Sequence, residues 1–161
     1  MTIKEGDSIP SVNLKIMSEK GVSDISTDEL FSNKKVVLFS VPGAFTPTCS
    51  AQHLPGFIDN ADLIKEKKVD TIVCMSVNDA FVMDAWGKDR GAGEKVLMVA
   101  DGNGDFTKAL GLELDAKGFG LGMRSQRFSM IVDNGSVSQL NVEEGGGFEV
   151  SKAEVILDQL S

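Results

Sequence analysis

Apolar and polar positions divide this chain into short strands alternating with helices. Val36-Val37-Leu38-Phe39-Ser40-Val41 is an almost unbroken apolar, β-rich run, the pattern of a strand buried on both faces. Residues 69–77, VDTIVCMSV, repeat it, and residues 96–101, VLMVAD, do so more briefly. Residues 11–16, SVNLKI, alternate with a period of two, as a strand does. Between the first two apolar runs, Leu54, Phe57, Ile58, Ala61 and Ile64 recur at helical spacing. They predict one helix from about Pro47 to Lys67, kinked at Pro55. Ser26-Thr27-Asp28-Glu29 has capping-box spacing and starts a short helix at Leu30 and Phe31. Asn78 or Asp79 caps a helix running through Trp86, and residues 105–111 form a short helix closed by Gly111. Residues 127–133 and 136–142 flank Asn134-Gly135, a type I′ hairpin signal. After a flexible Gly145-Gly146-Gly147, a second capping box, Ser151 to Glu154, opens a last helix that ends at Leu160.

Strands alternating with helices imply a parallel sheet, and the late hairpin adds an antiparallel edge. The order β-α-β, then β-β-α, is that of the thioredoxin fold. The expected architecture is therefore α/β: a central mixed β-sheet flanked by helices, with an N-terminal extension and insertions. At 161 residues, 42% of them hydrophobic, the chain suits one domain over residues 1–161. Sites in open sheets of this kind lie beyond the carboxyl ends of the strands. Cys49 lies beyond such an end.

Charge narrows the partners. A net charge of −8 argues against nucleic acid and anionic membranes, both polyanions. No run is long enough to span a bilayer, and the first residues, MTIKEGDSIP, contain no apolar stretch of a signal peptide. Two cysteines without CxxC spacing make neither a disulfide framework nor a zinc site. A reducing compartment is expected, cytoplasmic, or organellar if a transit segment has been trimmed. There the sequon Asn134-Gly135-Ser136 is idle.

The chemistry concentrates at residues 41–50, VPGAFTPTCS. Thr46 suits a helix N-cap and Pro47 the first helical position, which puts Cys49 in the first turn. Unpaired amides and the positive end of the helix dipole stabilise a thiolate there. Such sites bring a cysteine pKa from about 8.5 to roughly 3.5–7.5. Pro42 and Pro47 stiffen the loop. The competing reading is a small buried hydrophobe; the flanking Thr, Pro, Thr and Ser do not form a core pattern.

Val41-Pro42-Gly43-Ala44-Phe45-Thr46-Pro47-Thr48-Cys49 resembles the peroxiredoxin active-site signature, Pro-x-x-x-Thr/Ser-x-x-Cys. His53-Leu54-Pro55-Gly56-Phe57, Ser76 to Val82, Ala85-Trp86-Gly87 and Arg127-Phe128-Ser129 are similar to the type II, or peroxiredoxin-5, branch. The resemblance implies thiol-dependent reduction of hydrogen peroxide and organic hydroperoxides, with Cys49 converted to a sulfenic acid. It implies that Thr46 hydrogen-bonds peroxide and sulfur, that Pro42 shields the thiolate, and that Arg127 holds the thiolate and polarises the peroxide. Arg124 is a second, lower-ranked cation. No metal or organic cofactor is needed, because sulfur carries the electrons, and a homodimer is implied by the family.

Cys74 is the one internal thiol able to resolve that acid. It lies within an apolar strand, about 10 Å below the strand tip, whereas a disulfide needs Cα atoms within about 7 Å. On physical grounds it reads as core. Plant type II relatives, by resemblance, use a cysteine in this strand for resolution, so that role stays open. Another part of the branch places its resolving cysteine near the last helix, where this chain has Ser151. An external thiol is therefore expected as reductant: glutathione, with or without glutaredoxin, before thioredoxin. Two other classes fit the fold: a non-catalytic thioredoxin-fold binding module or redox sensor, and a Cys/His hydrolase built on Cys49 and His53, which share a helix face. Gly118-Phe119-Gly120-Leu121-Gly122 lacks phosphate-loop spacing and reads as a flexible loop before Arg124.

Overall fold

The computed structural model describes residues 2–161. Seven strands form one mixed sheet, and the apolar runs occupy its centre. β3 (Lys35–Val41) lies between β4 (Thr71–Ser76), parallel to it, and β8 (Phe128–Asp133), antiparallel. β5 (Leu97–Ala100) pairs parallel with β4. An antiparallel hairpin closes each edge: β1 (Asn13–Ser18) with β2 (Gly21–Ser26), and β8 with β9 (Ser136–Val142). The strand order is β2-β1-β5-β4-β3-β8-β9. The expected thioredoxin-like α/β architecture is thus present. The I′ turn is formed by Asn134 and Gly135 at φ 49° and 79°, the positive pair such a turn requires.

Both faces of β3 are buried, as its unbroken apolarity predicts. Val37, Phe39 and Val41 face one core with α2 (Leu54–Asp59), α3 (Ala61–Glu66), α4 (Ala80–Arg90) and α6 (Ala153–Leu160). Val36 and Leu38 face the other, with α1 (Thr27–Phe31) and α5 (Asp105–Leu110). The capping box at Ser26 forms, and Asp79 caps α4 by accepting the Val82 amide. That helix continues to Arg90 and stops at Gly91, φ 73°. Met98 packs so close to Gly87 that a Cβ there would approach its Cγ to 2.6 Å.

The sequence reading fails in four places. The single kinked helix from Pro47 to Lys67 is three pieces. After Pro47 and Thr48 it passes into a π turn, Cys49–His53, in which the Leu54 amide bonds back to Cys49. This one-residue shift of the ladder leaves Pro55 in the first turn of α2, where its missing N–H costs little. Asn60, whose side chain donates to the Gly56 carbonyl at 2.8 Å, then separates α2 from α3. Second, residues 21–26 pair as β2; their mixed polarity hides an edge strand. Third, the glycine-rich segment is folded, as a 3₁₀ turn, Lys117–Phe119, inside an antiparallel ribbon of β6 (Glu113–Asp115) and β7 (Met123–Ser125). Fourth, the second capping box does not form. Lys152 is the N-cap of α6, and the Ser151 hydroxyl binds Glu143 instead.

Candidate active site

β3 delivers the chain to the site at Val41, and the next five residues make a tight, over-determined loop. Phe45 has φ 63°, strained for a bulky side chain and stable only when its surroundings hold it. The Ala44 amide donates to Asn78 Oδ1 at 2.9 Å, and the Ser76 hydroxyl fixes the same oxygen at 2.5 Å. Arg124 donates to the Pro42 carbonyl at 3.4 Å and to the Leu121 carbonyl at 2.8 Å. The lower-ranked cation thus serves the backbone of the loop. The Thr46 carbonyl accepts the Ser50 amide at 2.9 Å, so Thr46 begins the helix as predicted. Its hydroxyl does not make the cap bond. It donates to the Gly43 carbonyl at 2.6 Å.

Cys49 is fully buried in the π turn. Nη2–H of Arg127, a half-buried residue just before β8, donates to Cys49 Sγ at 3.1 Å. A charged donor aimed at sulfur is best satisfied by a thiolate. The same guanidinium donates through Nη1 to His53 Nδ1 at 2.9 Å, and His53 Nε2 donates to the Ser151 carbonyl at 3.0 Å. Both imidazole nitrogens are therefore occupied, and neither faces the thiol as a base. Burial first, and the Arg127 charge second, push the His53 pKa down from 6.5 to about 3. The ring is neutral, which this bonding pattern requires.

The π turn is pinned from behind by Trp86, which is buried and donates to the Ser50 hydroxyl at 2.8 Å. Pro42 and Arg127 also line a cleft of about 350 Å³ with Leu114, Phe119 and Leu121. The structure thus gathers Pro42, Thr46, Cys49 and Arg127. It leaves Cys74 in mid-strand, paired with Phe39 and Met98 and fully buried. Burial, and then the charge at Cys49, push its thiol pKa well up. Among the described residues no cluster is placed to hold a metal ion, and no helix is long and apolar enough to cross a membrane.

Residues 4–157 match the Redoxin family. The chain is 50% identical to peroxiredoxin-2D of Arabidopsis thaliana, over 98% of both chains. It is 42% identical to the hybrid peroxiredoxin hyPrx5 of Haemophilus influenzae, over all of this chain and 68% of that one. A reduced Prx3 of Vibrio vulnificus, solved in complex with hydrogen peroxide, superposes with a TM-score of 0.96 at 56% identity, covering 99% of this chain and all of the other. The chain belongs to the peroxiredoxins. It is accordingly a thiol-dependent peroxidase of thioredoxin fold.

Sequence reasoning missed how this peroxiredoxin holds its arginine. His53 accepts from Arg127 through Nδ1 and is itself held by the Ser151 carbonyl, and no spacing rule links positions 53, 127 and 151. No local pattern singles out Glu143, which follows the mixed strand Ser136–Val142 and precedes a second acidic residue, Glu144.

Proposed function

We propose that this peroxiredoxin reduces hydrogen peroxide and organic hydroperoxides at Cys49 and is recycled by an external thiol, glutathione with or without glutaredoxin. The observation that carries the reading is the Arg127 guanidinium donating to Cys49 Sγ at 3.1 Å beside an open cleft. The thiolate attacks one peroxide oxygen in line. The S–O bond forms as the O–O bond breaks, sulfur is oxidised by two electrons, and the departing oxygen leaves as alkoxide or hydroxide and takes a proton. Arg127 sits where negative charge passes from sulfur to oxygen, the position at which a fixed donor contributes most. The Thr46 proton is committed to Gly43, so toward a peroxide this hydroxyl acts as acceptor and orients the O–O–H group. Pro42, which lines the cleft, keeps water from the sulfur. The apolar Leu114, Phe119 and Leu121 suit the substituent of an organic hydroperoxide.

The burial of Cys74 supports an external reductant. A thiol fully buried within a central strand reaches the sulfenic acid only if β4 or the π turn unfolds. An incoming thiol instead attacks Cys49–SOH and releases water, and a second thiol frees Cys49 and leaves as the disulfide. Thioredoxin is the second choice of reductant. We take the working form to be a homodimer, for which the exposed Phe45 and Phe81 offer apolar surface. The test is Cys74→Ser assayed with glutathione, glutaredoxin and thioredoxin in turn. Glutathione-supported turnover is expected to survive. Its collapse in a folded variant refutes the external-thiol reading, and a Cys49→Ser protein that still consumes peroxide refutes the assignment of Cys49.

A further inference from the structure

The segment preceding α6 is gathered onto one oxygen. Glu143 Oε2 accepts the amides of Glu149 at 2.9 Å, Val150 at 2.9 Å and Ser151 at 2.8 Å, together with the Ser151 hydroxyl at 2.6 Å. Successive amides converging on one point form an anion-binding nest, here filled by the chain's own carboxylate. Glu143 is only 6% exposed, and buried carboxylates persist only when so satisfied. Although burial favours its neutral form, these bonds together hold its pKa below the usual carboxylate range.

The next polar group along this strap is the Ser151 carbonyl, the acceptor for His53 Nε2–H at 3.0 Å. A proton held on Nε2 leaves a lone pair on Nδ1. That lone pair receives Arg127 Nη1–H at 2.9 Å, which leaves Nη2 directed at Cys49 at 3.1 Å. Phe148, in the same strap, packs its ring edge against His53 and lies 5.7 Å beneath the guanidinium. Arg127 makes no ion pair among the described residues. A carboxylate bonded directly to it would orient it but also neutralise the charge that faces the sulfur. A remote carboxylate acting through a neutral carbonyl and a neutral imidazole orients the guanidinium and leaves its charge intact.

We propose that Glu143 is a positioning residue for the peroxide reaction, acting through the Ser151 carbonyl and His53 to aim Arg127 at Cys49. The proposal rests on the assignment of Cys49 and Arg127 as the reacting pair.

His53 is the chain's sole histidine, so nitrogen NMR of its ring reports the relay without ambiguity. Wild type should show the Nε2–H form, and Glu143→Ala should lose that bias. Stopped-flow oxidation of Cys49 by hydrogen peroxide supplies the second reading, in a double-mutant cycle of Glu143→Ala and Arg127→Ala. Glu143→Ala should slow oxidation roughly 10- to 100-fold, the scale of a misaligned catalytic group. In the Arg127→Ala background the same change should cost less than about twofold, because both remove one interaction. Equal slowing in both backgrounds, or an unchanged imidazole tautomer, overturns the proposal and makes Glu143 merely structural. If Arg127→Ala reacts as fast as wild type, the assignment of Arg127 itself fails, and the proposal with it. Should Glu143→Ala not fold, Glu143→Gln carries the same cycle: it keeps an acceptor without the charge and should show a smaller slowing with the same non-additivity.

Discussion

Acidification tests the His53 environment, because a buried neutral imidazole makes folding pH-dependent. The folded-state pKa is about 3, against 6.5 for the free group. Below pH 6.5 the unfolded chain takes up a proton that the folded chain refuses. Stability therefore falls as pH drops from 6.5 toward 3, and does not change further below that. The full shift corresponds to ~5 kcal/mol at ~1.4 kcal/mol per unit. Between pH 7 and 5 the histidine contribution alone is about 2 kcal/mol, a large share of an ordinary domain's stability. Carboxylates titrate in the same direction or against it. The nest holds Glu143 low, so its contribution is lost as pH falls through the carboxylate range; burial pushes Asp101 up, which opposes that loss. A variant without an imidazole removes only the histidine component. Urea unfolding at pH 7, 6 and 5 should show wild type losing about 2 kcal/mol more than His53→Gln over that interval. The C2 proton of the same ring, followed by NMR in the folded protein, should show no titration between pH 8 and 5. Identical pH slopes for the two proteins, or an imidazole midpoint near 6.5, would show that His53 is not the buried acceptor described here.

Two further outcomes follow from the same geometry. Arg127 serves Sγ and Nδ1 with two arms of one planar fork, which the single point charge of lysine cannot reproduce. Arg127→Lys should lower the rate of Cys49 oxidation by peroxide about 100-fold or more, read by stopped flow; a rate within threefold of wild type would remove the fork from the mechanism. Ser50→Ala leaves the buried Trp86 indole N–H without an acceptor, at a cost of about 1–3 kcal/mol. Urea titration monitored by emission of this sole tryptophan measures that cost, and an unchanged midpoint would mean that the bond does not hold the π turn.

The central sheet is legible in the sequence because a strand covered on both faces is almost wholly apolar: Val36 to Val41 and Ile72 to Met75 are all buried to 1% exposure or less, and the one polar member, Ser40, is hydrogen-bonded to Ser125. The hairpin at Asn134-Gly135 is legible because few residue pairs accept positive φ twice in succession. What escapes is structure held by groups that every residue possesses. β2 pairs through its backbone at the sheet edge, where no residue is fully buried and polarity does not follow the alternating exposure, and the β6–β7 ribbon is too short to carry a period. The break at Cys49–His53 is invisible because the apolar positions at helical spacing all lie beyond it, from Leu54 onward, and the extra residue of the π turn carries no mark of its own.

The same distinction governs the site. Cys49, Thr46 and Pro42 are found from their types and a short local spacing, since a nucleophile in a helix's first turn leaves a pattern within eight residues; Arg127, 78 residues away, is reached only through the family resemblance. The ring that holds Arg127 leaves none. His53 lies four residues from Cys49 and invites a nucleophile–base reading from spacing alone. The π turn instead points one imidazole nitrogen at Arg127 and the other at a backbone carbonyl that a carboxylate eight residues upstream fixes in place. A base for Cys49 and a tether for Arg127 are alternative uses of the same ring. Geometry has already committed both nitrogens, and the protonation state separates the two uses in solution: a base must gain a proton at working pH, whereas this tether works only while it never does.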